Sequence, residues 1–129
     1  MSYKVLIVDD NKEFRSVLHD YLKLQKLELG IFEADSGEKA IELARQKKPD
    51  IILMDIRLQH VNGIIASERI KEEQPACDII ILTMFDSSDY KRLCHKNGIF
   101  KDFIVKSELH ERLMPVIRRC IKKRKSDYA

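Results

Sequence analysis

The sequence predicts one α/β domain built on a parallel sheet with helices on both faces. Short continuous runs of apolar, β-favouring residues recur along the chain, as in Val5-Leu6-Ile7-Val8, Ile51-Ile52-Leu53-Met54 and Ile79-Ile80-Ile81-Leu82. They alternate with longer stretches of helical period, the signature of strands buried on both faces between crossover helices. The chain has 129 residues, enough for one such domain burying roughly two thirds of its unfolded surface.

Five βα units follow in order. The first run ends in Asp9-Asp10, and Phe14, Val17, Leu18, Tyr21 and Leu22 then take the spacing of an amphipathic helix, with Asn11 as N-cap. A weaker second strand spans 28–34 and includes Gly30. Ser36-Gly37-Glu38-Lys39 opens a second helix with Ala40, Ile41, Leu43 and Ala44 facing inward. Lys48-Pro49 stops it, because the residue before a proline is driven out of the helical region. A third strand at 50–54 delivers Asp55, and a loop to Asn62-Gly63 leads into a helix over 64–73 that Gln74-Pro75 closes. The fourth strand delivers Thr83. The helix after it, 87–96, has few apolar positions and is expected to be the least well packed. Asn97-Gly98 turns the chain into Phe103-Ile104-Val105, which delivers Lys106. The last helix, from about 107, presents Leu109, Leu113, Ile117 and Ile121 on one face. Pro115 lies inside it with no N–H for residue 111, which should bend the helix unless it begins later.

Composition excludes several classes. No apolar run approaches the ~20 residues of a membrane span, and Met1-Ser2-Tyr3-Lys4 enters a strand without a signal-peptide core, so a cytoplasmic protein without membrane contact is expected. Cys77, Cys94 and Cys120 lack CxxC spacing and are expected to be reduced structural thiols. His19, His60, His95 and His110 share no ligand spacing and are read as surface residues. No glycine-rich phosphate loop is present. From residue 118 onward, Arg118, Arg119, Lys122, Lys123, Arg124 and Lys125 face one acid, giving that segment +5 and the remainder −2 of the net +3. The body is therefore slightly acidic, direct nucleic-acid contact by it is not expected, and the basic stretch reads as a solvated helix end or linker. The domain is taken as residues 1–124, with 125–129 a tail or the start of a linker.

In a parallel α/β sheet the C-terminal strand ends share one rim, where ligands bind. Here the rim collects Asp9, Asp10, Asp55, Thr83 and Lys106. Taken singly, each is an ordinary turn, cap or surface residue. Together, three carboxylates call for a hard divalent cation, Mg2+ or Mn2+, and the ammonium and hydroxyl add what a transferring phosphoryl group needs, leaving one aspartate as nucleophile.

The ordered set Lys4-Val5-Leu6-Ile7-Val8-Asp9-Asp10, Ala34-Asp35-Ser36-Gly37-Glu38-Lys39-Ala40, Pro49-Asp50-Ile51-Ile52-Leu53-Met54-Asp55-Ile56-Arg57-Leu58 with Asn62-Gly63, Ile80-Ile81-Leu82-Thr83 and Ile104-Val105-Lys106 resembles the receiver domain of two-component response regulators over nearly the whole chain. The resemblance implies a three-layer flavodoxin-like fold of strand order 2-1-3-4-5. It also implies that Asp55 is the phosphoacceptor and that Asp9, Asp10, Asp55 and the carbonyl of Arg57 hold the metal. Thr83 and Lys106 bind the phosphoryl group, and Thr83 and Phe103 form a switch pair that re-shapes the face of the fourth helix, fifth strand and fifth helix. Arg57 and Met84 modulate access. The chain departs from the family pattern at Gln59, Met84 and Ser107, with Phe85 adding bulk after Met84 and Ser107 removing the reason to expect a cis peptide after Lys106. The stretch 98–106 looks one residue longer than in many relatives, which makes Phe100 a competitor for the switch role.

The expected function is a phosphorylation-dependent switch loaded by a sensor histidine kinase or phosphotransfer protein, acting on an output domain or target protein, with a phosphorylation-dependent homodimer among the outcomes. Two rivals remain at this point. One is a Mg-dependent phosphohydrolase, against which stands the basic Arg57 two residues after Asp55 where an acid/base carboxylate is usual. The other is a DNA-binding regulator whose effector part lies outside this chain, since no helix-turn-helix follows the five units.

Overall fold

Every predicted apolar run forms a strand, and the five strands pair in parallel in the order β2-β1-β3-β4-β5. The computed structural model describes residues 2–128 except Gln59 and Phe85, and of residues 126–128 the backbone alone. Along the chain lie β1 (Tyr3–Val8), α1 (Lys12–Lys23), β2 (Leu29–Ala34), α2 (Gly37–Lys47), β3 (Ile51–Met54), α3 (Gly63–Glu73), β4 (Asp78–Thr83), α4 (Ser88–Asn97), β5 (Asp102–Val105), a 3-10 turn (Lys106–Glu108) and α5 (Leu109–Tyr128). This is the flavodoxin-like order expected.

Alternation along the strands divides the core in two. Leu6, Val8, Ile52, Met54, Ile79, Ile81, Phe103 and Val105 pack against α2, α3 and α4, whereas Val5, Ile7, Ile51, Leu53, Ile80, Leu82 and Ile104 pack against α1 and α5. The helix starts follow the sequence signals. The side chains of Asn11, Ser36, Asn62 and Ser87 each accept a backbone N–H from three residues on. Gly98, at φ 67°, ends α4 in the left-handed conformation that a glycine adopts without strain. Pro115 lies in the interior of α5 on its exposed side. No cis peptide occurs among the described residues, Ser107 included.

Four expectations are sharpened by the structure. Val17 is 69% exposed, because the buried stripe of α1 narrows to Leu18 and Leu22 with Phe14 and Tyr21 packed at its edges. His19, read as a surface residue, has a partner there in Glu33, 2.8 Å away on β2. Arg124 is held on the carboxylate of Asp50 at 3.3 Å and on the carbonyls of Asp50 and Ala76, so the basic stretch is not simply solvated. The last helix begins at Leu109, after the 3-10 turn, and runs unbroken past residue 124 to Tyr128. As expected, α4 is thinly packed, with Cys94 its only buried residue.

The segment between β3 and α3 is held by close backbone contacts. A Cβ on Gly63 would lie 2.0 Å from the carbonyl oxygen of Asp55, and one on Gly37 would lie 2.6 Å from that of Val61. The N–H of Gly63 donates to the carbonyl of Ile56 at 2.9 Å. These contacts fix the backbone that carries Asp55 and Arg57. Gly63→Ala is therefore expected to destabilise the fold by about 3 kcal/mol or more, read as a lowered urea midpoint. An unchanged midpoint would show that the backbone yields instead.

Cys77, Cys94 and Cys120 are all free and buried. Burial pushes the thiols up, to about 12 at Cys77 and about 11 at Cys94 and Cys120. Because only the thiolate reacts, alkylation of the native protein near pH 8 is expected to be about 100-fold or more slower than of free cysteine. Unfolding should release all three, as mass spectrometry after iodoacetamide would read.

Candidate functional site

Four strands deliver their polar ends to one place. β1 and β3 are neighbours with Val8 opposite Met54, so Asp9 and Asp55 follow side by side. Carboxylate oxygens of Asp9, Asp10 and Asp55 lie within 4.8 Å of one another, with Asp9 and Asp55 buried and Asp10 exposed. From β5, Lys106 brings its ammonium to 2.6 Å from Asp9 Oδ2 and 3.5 Å from Asp55 Oδ2. Thr83 is buried at the end of β4.

Each carboxylate is positioned by backbone. Asp9 Oδ1 accepts the N–H of Asn11 at 2.9 Å, and Asp55 Oδ1 accepts the N–H of Arg57 at 3.2 Å. Burial, first, and the neighbouring charge of Asp9, second, push the Asp55 carboxyl up to about 6, while Lys106 and the Arg57 N–H oppose that rise. Three carboxylates against one ammonium leave a net charge of −2 in a set of oxygen donors. That matches a hard divalent cation in both charge and ligand type.

Of the remaining predicted residues, Phe103 is buried on the face of the sheet that carries Ile81 and Val105, and Thr83, two residues beyond Ile81, faces the same side. Phe100 precedes β5 at the opposite end of the sheet and is partly buried against the same core. Met84 is 65% exposed just past Thr83, and Arg57 is exposed beside Asp55. Gln59 and Phe85 lie outside the described residues.

Two contributors were not foreseen as part of the site. The ring of Phe14 stands over the Lys106 ammonium with the nitrogen 4.0 Å from the ring centre, a cation–π contact that adds to the two carboxylate contacts of the same group. Arg15 donates to the carbonyl of Asp9 at 2.7 Å and pairs with Glu33 at 3.2 Å, tying the strand end to α1 and β2. Phe14 reads in the sequence as one more apolar helix position, and Arg15 as a surface charge. Nothing local marks either one.

The sequence profile of the response regulator receiver domain matches residues 5–118. The chain belongs to that family. Receiver domains are signalling switches of two-component systems, and similar proteins agree. A response regulator protein VraR from Staphylococcus saprophyticus is 37% identical over 95 residues, covering 72% of this chain and 46% of the relative. A cyclic di-GMP phosphodiesterase from Thermotoga maritima is 35% identical over 102 residues, 79% of this chain but 26% of the relative. The chain thus spans about a quarter to a half of these relatives, so their whole activities do not pass to it. Among solved structures, the response regulator domain of Thermotoga maritima CheB superposes with TM-score 0.81 at 26% identity, covering 95% of this chain and 98% of that one. The REC domain of AraT, a response regulator from Geobacillus stearothermophilus, gives 0.83 at 26% identity and full coverage of both chains. No helix among the described residues is long and apolar enough to cross a membrane.

If this receiver domain takes a divalent cation on its carboxylates, Asp9→Asn should weaken Mn2+ binding by about tenfold or more, read by calorimetry. Mg2+ should raise the thermal midpoint of the wild type by binding the folded state alone. Equal affinity in Asp9→Asn and wild type would place the ion elsewhere.

Proposed function

We propose that this receiver domain is a phosphorylation-dependent switch whose Asp55 accepts a phosphoryl group from a phosphohistidine of a sensor kinase or phosphotransfer protein. The observation that carries the reading is the convergence of Lys106 from β5 and two buried carboxylates, Asp9 and Asp55, on one rim. A carboxylate oxygen of Asp55 attacks phosphorus; the new O–P bond forms as the P–N bond breaks, and the imidazole leaves with the bonding pair and takes a proton from solvent. Asp9, Asp10, Asp55 and the Arg57 carbonyl would hold Mg2+ or Mn2+, which when bound supplies positive charge to the phosphoryl oxygens.

The chain's own residues do the rest. Lys106 sits close enough to Asp55 to neutralise the added charge without a large displacement, and the Arg57 N–H keeps the attacked carboxylate in place. Phosphorylation adds negative charge and acceptor oxygens that draw the Lys106 ammonium and the Thr83 hydroxyl inward. Thr83 and Phe103 share one face of the sheet, so movement of Thr83 opens space that Phe103 fills. Phe100, at the other end of the sheet, is the weaker candidate for that role. The thin packing of α4 supports the α4-β5-α5 face as the surface that changes and contacts an output domain or target, a second copy included. Against the phosphohydrolase rival stands the basic Arg57 two residues after Asp55. A domain of residues 1–124 with a following connection to an effector, DNA-binding or otherwise, in the cytoplasm is the arrangement that fits.

Incubation with Mg2+ and acetyl phosphate should add one phosphoryl group by intact mass, and none in Asp55→Asn. Label that persists in Asp55→Asn would overturn the assignment. Met84→Ala should speed loading and loss of the group by opening the approach to Asp55. An unchanged lifetime would remove Met84 from any gating role.

A further inference from the structure

Two features of the chain lie away from the phosphorylation rim: the basic run at the end of α5 and the connection from Gly98 to β5. They meet at one place. Beneath the sheet, at the N-terminal end of β4, a cleft of about 460 Å3 is walled by the end of α3, the connection before β4, residues 98–101 and the end of α5. β4 separates it from the phosphorylation rim by the length of a six-residue strand, roughly 17 Å at strand rise. Lys123 and Arg124 lie beyond residue 118, where the family match ends, so this wall is not part of the matched receiver pattern.

We propose that this cleft binds a small organic phosphate of the nucleotide class. Its lining holds Lys71, Lys101, Lys123 and Arg124 against Asp78. Arg124 is already paired with Asp50. The Lys71 ammonium is held at 2.9 Å by the carbonyl of Pro75, a partner that carries no charge. Lys101 and Lys123 have no carboxylate partner among the described residues, so the cleft retains an excess of two positive charges after Asp78 is counted, the complement of a phosphate monoester dianion. The other wall is apolar, with Phe100 partly buried beside Ile79 and Ile99. A flat ring joined to a phosphate satisfies both walls, the base lying on Phe100 and the phosphate between Lys101 and Lys123. The volume suits a ligand of mononucleotide size. A recess of this kind, rather than a ridge, favours a free nucleotide over the backbone of a nucleic-acid strand.

The test uses the whole chain, unphosphorylated and without added metal, titrated with AMP, GMP and inorganic phosphate while backbone amide shifts are followed by NMR. Saturable shifts at residues 98–101 and 123–124 at millimolar AMP or GMP are expected, with inorganic phosphate weaker. The double variant Lys101→Gln, Lys123→Gln should lose about tenfold or more in affinity, with its thermal midpoint and labelling by acetyl phosphate unchanged. Phe100→Leu should erase the advantage of nucleotide over phosphate. The proposal falls if no saturable shift appears, if shifts centre on Asp9, Asp55 and Lys106, or if only an oligonucleotide produces them.

Discussion

Two buried carboxylates on adjacent strands share one ammonium, and the rest of this structure is arranged to make that tolerable. Asp9 and Asp55 are placed side by side by the pairing of β1 with β3, and burial makes their mutual repulsion stronger than it would be in water. Lys106 relieves part of it, at 2.6 Å from one and 3.5 Å from the other. It reaches them from β5 across the end of β4, where Thr83 stands. The sheet order 2-1-3-4-5 is therefore a condition for the site: an order that parted β1 from β3, or β5 from β4, would scatter its charges. The ammonium is itself confined by the ring of Phe14. What remains is a net negative pocket with its positive group already in place, suited to a cation and a phosphoryl group rather than to a neutral substrate.

Stability is distributed unevenly around this pocket. The backbone beneath Asp55 is locked by the approach of Gly63 to its carbonyl and by the Asn62 cap, whereas α4, next to Thr83, buries a single cysteine. A closely held backbone under Asp55 beside a thinly packed helix is the distribution that the proposed switch requires. In that proposal the acceptor keeps its geometry through transfer, and the reporting element needs a second arrangement within a few kcal/mol of the first.

The strand ends were legible because four apolar runs stop abruptly at polar residues, and the helix starts because Asn11, Ser36, Asn62 and Ser87 cap from the side chain through local bonds. Periodicity was less informative where a stripe is narrow: Val17 fits the helical spacing of α1 yet faces solvent. The contacts that escaped sequence reading join residues far apart in the chain. Phe14 meets Lys106, His19 meets Glu33, and Arg124 meets Asp50. Local pattern encodes which face a residue takes, but the partner of a surface arginine or of an edge aromatic is set by how neighbouring units pack. The contact of Gly63 with Asp55 is intermediate in kind, since Asn62-Gly63 marks a turn in the sequence while the closeness of the backbone behind it is a tertiary fact.

The last helix ties these parts together. At its start Arg112 donates to the carbonyl of Phe103 at 3.0 Å and to Asp102 at 2.9 Å, gripping β5. Near its end Arg124 grips Asp50 and Ala76, on the connections before β3 and β4. Between these clamps Leu113, Met114, Val116, Ile117 and Cys120 are buried against the sheet. A helix clamped at both ends and buried between them moves as a unit. A displacement of β5 would then be carried, by Arg112 and the buried stripe, along about 18 Å of helix to the Arg124 clamp. The two ends of the domain, the charged rim and the basic cleft, are thereby joined by one helix, held to β5 by the Arg112 clamp and by the apolar stripe together.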